Sequence, residues 1–93
     1  LQFEDDIMPF TFADVLILRY LSGAVDENQT VIDFHAINSF SNLNWSFKSQ
    51  ITKFIKRFYK NPYRAEDTIW IKQFAAENNI NIKAKFQALS KLV

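Results

Sequence analysis

Ser49, Lys53, Lys56, Arg57 and Lys60 lie within twelve residues of one another, at steps of three and four with one adjacent pair. Side chains three and four apart are neighbours on a helix, so the set shares one face. A row of ammonium and guanidinium groups beside a hydroxyl is the chemistry of a polyanion contact. Lys meets phosphate as a point charge, and the Arg fork matches guanine O6 and N7. Lys53, Lys56 and Lys60 are therefore candidates for phosphates, and Ser49, Gln50 or Arg57 for base edges. Arg64 adds a cation just beyond. A smaller set follows at Lys83, Gln87 and Lys91, again four apart. The competing reading is an ordinary solvated face, since charged helix faces are very common.

Other chemistries are excluded by count. With no cysteine, the chain has no thiol nucleophile, disulfide or thiolate metal site. One glycine rules out the glycine-rich phosphate loops, which need at least two. One histidine rules out paired-histidine metal motifs. His35 and Asp33 are two apart and point about 200° away from each other on a helix, so they form no catalytic pair. The expectation is a protein that is not an enzyme and takes no cofactor and no metal.

Charge is divided along the chain. Residues 1–47 carry seven acidic residues against Arg19 alone, a balance of −6, and residues 48–93 carry ten basic against three acidic, +7. The formal net charge of +1 conceals this division. Such halves imply an anionic partner for the second half, or mutual neutralisation within the fold. Glu4, Asp5 and Asp6, with Asp14, Asp26 and Glu27, form an acidic set that would imitate phosphate or cover the basic face. It lacks calcium-loop spacing, and a solvated tail is the simpler reading.

These residues need elements to hold them. The 93 residues, 48% of them hydrophobic, make one domain with a packed core. The division expected is an acidic arm over 1–9 and a single helical domain over 10–93. Thr11 and Asp14 have capping-box spacing before a helix over 12–22, and Gly23 sits where a helix-closing glycine belongs. That helix is apolar nearly all round, which makes it central or covered by a twin. A polar loop over 24–29 and an extended segment over 30–32 come next. Then comes a helix over 33–40, capped by Asp33, with Ile37 and Phe40 inward. Ser41 to Asn44 is a turn, and Asn44 caps a helix over 45–60. Phe47, Ile51, Phe54, Ile55 and Phe58 form its core stripe, opposite the basic row. Asn61-Pro62 ends it. A helix over 65–78 brings Trp70 and Phe74 one turn apart; the variant makes 68–71 a strand of a winged-helix hairpin. Asn78-Asn79 breaks the chain, and Asn81 caps a helix over 82–93 with Ile82, Phe86, Leu89 and Val93 inward.

The fold class is all-α, four to five short helices around a tri-helical, helix-turn-helix-like core. Residues 61–80, through Asn61-Pro62-Tyr63, Phe74-Ala75 and Ile80, are faintly similar to homeodomains. The next helix departs from that pattern. Lys85-Phe86-Gln87-Ala88-Leu89-Ser90 has neither its Trp nor its base-reading Asn, so no residue role carries over. Trp45, Tyr59, Tyr63 and Trp70 flank the basic segment and suit base stacking or protein contact; Tyr59, off the core stripe, is expected to be the exposed one. The leading expectation is a nucleic-acid-binding domain, DNA favoured, of a larger regulatory, replication or mobile-element protein. The alternative is a protein-interaction domain whose basic face meets an acidic partner. A homodimer is a further expectation, through the helix over 12–22. No apolar run is long enough for a membrane span. The acidic start is unlike a secretory signal, and the lack of cysteine favours an intracellular site, cytoplasm or nucleus.

Overall fold

The computed structural model describes residues 10–60 and 65–93, with side chains from residue 68 onward in the second stretch. Helices α1 (Phe12–Leu21), α2 (Glu27–Ser41), α3 (Phe47–Phe54), α4 (Ala65–Glu77) and α5 (Ile82–Ser90) carry the fold. A π-helical turn, Ile55–Tyr59, continues α3. No strand occurs among the described residues. The acidic arm over 1–9 and Arg64 lie outside them.

Local signals set the helix ends. The Thr11 hydroxyl accepts from the Asp14 N–H at 3.2 Å, and the Asp14 carboxylate accepts from the Thr11 N–H at 3.0 Å. This reciprocal pair satisfies two of the donors a helix start leaves open. Gly23, at φ +87°, closes α1. Its N–H bonds the Tyr20 carbonyl, and the Ala24 N–H bonds that of Arg19. The same closure recurs without glycine. Asn42 and Asn79 adopt φ 57° and 55°, and Leu43 and Ile80 donate back to Asn38 and Ala75. Asparagine tolerates the left-handed region, so a chain with one glycine still stops three helices. Thr11→Ala removes one half of the α1 cap and is expected to cost about 1 kcal/mol, read as a lowered urea midpoint.

Two boundaries differ from expectation. Helix α2 starts at Glu27, six residues earlier than the pattern implies, because Asp26 is its cap and accepts from the Gln29 N–H at 2.8 Å. Thr30, Val31 and Ile32 are helical, not extended, and Asp33 lies mid-helix. β-branched propensity is weak and yields to a good cap plus a buried face. Thr30 is fully buried and returns its hydroxyl to the Asp26 carbonyl at 2.8 Å. Helix α3 starts at Phe47, capped by Ser46, because Asn44 sits at φ 56° in the turn. The Asn38 side chain pins that turn by two 3.0 Å bonds to the Trp45 backbone. The winged-helix variant is not borne out: residues 68–71 belong to α4.

Helix α1 is the hub. It buries Ala13, Asp14, Leu16, Ile17, Tyr20 and Leu21, and packs on α2 and α3. Phe12 and Phe34 stack at 5.4 Å, Phe34 and Phe47 at 4.2 Å, and Trp45 covers Phe12 at 5.2 Å. Helix α4 leans on the π turn and α5 on α3. Phe54 meets Phe58 and Phe86, and Trp70 sets its edge to Phe58. The Tyr20 hydroxyl donates to the Lys85 carbonyl at 2.7 Å, tying α1 to α5.

Candidate functional site

The α3 stripe is inward as its spacing requires. Phe47, Ile51, Phe54 and Phe58 are buried, and Ile55 is half-buried against the core. Ser49, Lys53, Lys56 and Lys60 are exposed. Gln50 is buried and so is not available to a base edge. Arg57 is turned to a structural task. Its guanidinium lies over the Phe58 ring at 4.3 Å and the Phe10 ring at 5.5 Å, and it pairs with Asp14 at 3.7 Å. Stacking of this kind suits the flat, weakly hydrated guanidinium. With its side chain 19% exposed, Arg57 clamps the start of α1 to the π turn.

The π turn changes where Lys60 points. The Lys60 N–H bonds the Ile55 carbonyl five residues back, at 2.9 Å. One extra residue in a turn rotates the succeeding residues by about 100° relative to a regular α-helix. Lys60 therefore leaves the row of Lys53 and Lys56 and joins the side of Ile55 and Tyr59. That side faces α5.

A groove of about 620 Å³ results, lined by Ile55, Tyr59, Lys60, Lys83, Phe86, Gln87, Ser90 and Lys91. It joins Lys60 of the first basic set to all three residues of the second. Its floor is apolar and its rim carries three lysines, with no carboxylate among the described lining residues. Lys83, Gln87 and Lys91 reach it because Asn81 caps α5, accepting from the Ala84 N–H at 3.0 Å, while Ile82, Phe86 and Leu89 face the core. Val93 lies past the end of α5 and is exposed, not inward. The two sets could not be joined from the sequence, because nothing in it announces the π turn.

The aromatic candidates are partly spent on packing. Trp45 is stacked on Phe12, and Tyr59 is half-buried, edge-on to Phe86 at 5.7 Å, with Lys72 over its ring at 5.4 Å. His35 is exposed, with its ring edge-on to Phe34. A second groove, of about 350 Å³ and largely apolar, lies between the end of α1 and α4 and includes Leu18, Trp70 and Phe74. Among the described residues, no helix is long and apolar enough to cross a membrane. Compared with protein-family models, with curated proteins and with solved structures, the chain matches none.

Proposed function

We propose that this chain is a non-enzymatic nucleic-acid-binding domain, DNA favoured, within a larger regulatory, replication or mobile-element protein. The observation that carries the reading is the convergence of Lys60, Lys83, Gln87 and Lys91 on one groove, with no carboxylate among its described lining residues. Lysines spaced along a groove rim suit a phosphate backbone, and Gln87 and Ser90 add neutral donors between them. Lys53 and Lys56 extend the positive surface along α3 and the π turn. In this reading α3 and α5 form the binding side of a helix-turn-helix-like core. Duplex is favoured over single strand because the rings of Trp45 and Tyr59 are engaged by Phe12, Phe86 and Lys72. Stacking platforms for unpaired bases need free ring faces.

The test is a salt titration of binding to a generic duplex and to a single strand. Affinity for the duplex should fall linearly on logarithmic axes, with a slope of about −0.9 for each phosphate neutralised. Replacing Lys60, Lys83 and Lys91 by Glu should flatten the slope by about 3 and remove binding at moderate salt. All three side chains are exposed, so circular dichroism should be unchanged. No binding at low salt would sink the proposal.

A further inference from the structure

The outward face of α2 is exposed at Ile32, Ile37 and Phe40. Ile32, Ala36 and Phe40 recur every four residues on that face, and Leu43 follows in the turn. Ile32 is 59% exposed and Phe40 is 91% exposed. Phe40 and Ile37 are both placed inward by the sequence pattern, and both are exposed. The inward face is taken by Thr30 and Phe34 instead. An aromatic ring held almost wholly in water on a regular helix is costly to leave uncovered. Helix α2 and its cap contain three carboxylates, Asp26, Glu27 and Asp33, and no Lys or Arg. Fifteen residues make a ridge about 22 Å long, apolar along its crest and acidic beside it.

The groove between the π turn and α5 is its complement: apolar floor, lysine rim and no carboxylate among the described lining residues. Its volume is several times that of a phenylalanine side chain. Among the described residues, Arg57 of the basic half pairs with Asp14 of the acidic half. Asp26 and Asp33 of the ridge and Lys60, Lys83 and Lys91 of the groove stand on different elements.

We infer that the groove receives the α2 ridge of a second copy of this chain, with Phe40 and Ile32 on the floor of Ile55, Tyr59 and Phe86. Asp26 and Asp33 then lie beside Lys60, Lys83 and Lys91. Apolar anchors supply the affinity, and the charges set orientation and exclude a basic partner. The contact joins two different surfaces, so a single contact leaves one ridge and one groove unfilled. The inference shares the groove with the nucleic-acid reading but does not depend on it.

Sedimentation equilibrium of the full chain over a concentration series, at low and moderate salt, tests this. The mass should rise above that of the monomer with concentration, and less steeply in salt. Phe40→Glu should lower the association constant by at least about 30-fold, the effect of losing a buried aromatic anchor. Lys83→Glu with Lys91→Glu should do the same. Mixed together, the two variants should form a one-to-one complex, because each retains the surface the other has lost. A monomer at every concentration overturns the inference, as does association that neither variant weakens. Loss in Phe40→Glu without rescue on mixing also overturns it, since α2 would then be packing on α2. Phe40→Glu leaves the lysines in place, so duplex binding by that variant separates failure of this contact from failure of the nucleic-acid reading.

Discussion

Phe34→Ala is expected to lower the free energy of unfolding by about 3–5 kcal/mol. Phe34 is fully buried and is the centre of the stack that joins three helices. Its ring lies 4.2 Å from Phe47 of α3 and 5.4 Å from Phe12 of α1. Truncation loses the transfer energy of the ring and leaves a cavity that rigid helix backbones cannot close. It also removes two aromatic pairings, each of about 0.5–1.5 kcal/mol beyond area burial. Domains of this size hold only about 5–15 kcal/mol in total, so the variant should be close to unfolded at 37 °C. Urea denaturation followed by circular dichroism gives the answer as a lowered midpoint. A loss under about 1 kcal/mol would mean that the α1–α2–α3 stack is not the centre of the core. Phe40→Ala, on the same helix but almost fully exposed, should change monomer stability by no more than about 0.5 kcal/mol.

Tyr20 makes the domain sensitive to alkali. Burial raises its hydroxyl well above the ordinary value of 10.0, and the negative charge of Glu27 raises it further. In the folded chain the neutral hydroxyl donates to the Lys85 carbonyl, and Lys85 Nζ returns a 3.0 Å bond to the Tyr20 carbonyl. In the unfolded chain the phenol ionises normally. The folded-state value is the higher one, so the contribution of Tyr20 is intact below about pH 10 and is lost as pH rises above it. Stability should therefore fall steadily from about pH 10 upward. Tyr20→Phe isolates the effect. At neutral pH it should cost about 0.5–1.5 kcal/mol, the net worth of the hydrogen bond to the Lys85 carbonyl. Its decline above pH 10 should be shallower than that of the parent. Urea midpoints measured from about pH 8 to pH 11 for both proteins decide it. Parallel alkaline limbs would show that Tyr20 carries none of the dependence.

Arg57 and Phe40 mark where the sequence misleads about the surface. Spacing puts Arg57 in the basic row, yet three neighbours claim it: two aromatic faces and a carboxylate from another helix. None of those contacts is visible in a helical wheel. Spacing likewise puts Phe40 inside because it follows Ile37 on what looks like a short helix. Moving the cap back to Asp26 lengthens α2 and recentres its buried face on Thr30 and Phe34. Helix α4 repeats the lesson. Thr68, Ile71 and Ala75 are buried, while Trp70 and Phe74, the larger pair, stay substantially exposed. A chain that is 48% hydrophobic has more apolar side chains than so small a core can enclose. Which of them go inside is then decided by neighbours, not by size.

The sequence by itself determined what is local. The all-helical class, the Thr11–Asp14 capping box, the closures at Gly23 and Asn79, the Asn81 cap and the inward stripe of α3 all follow from interactions within a few residues. Those bonds join groups a few residues apart in the chain, so their partners can be read without the fold. The tertiary structure alone decided how the charges are grouped. One five-residue backbone bond at Lys60 turns it away from Lys53 and towards Lys83 and Lys91. Likewise the ridge on α2 exists only because Phe34 took the inner face. The division of charge between the two halves was plain in the residue order; the groove and the ridge that express it come from packing over distances no short spacing encodes.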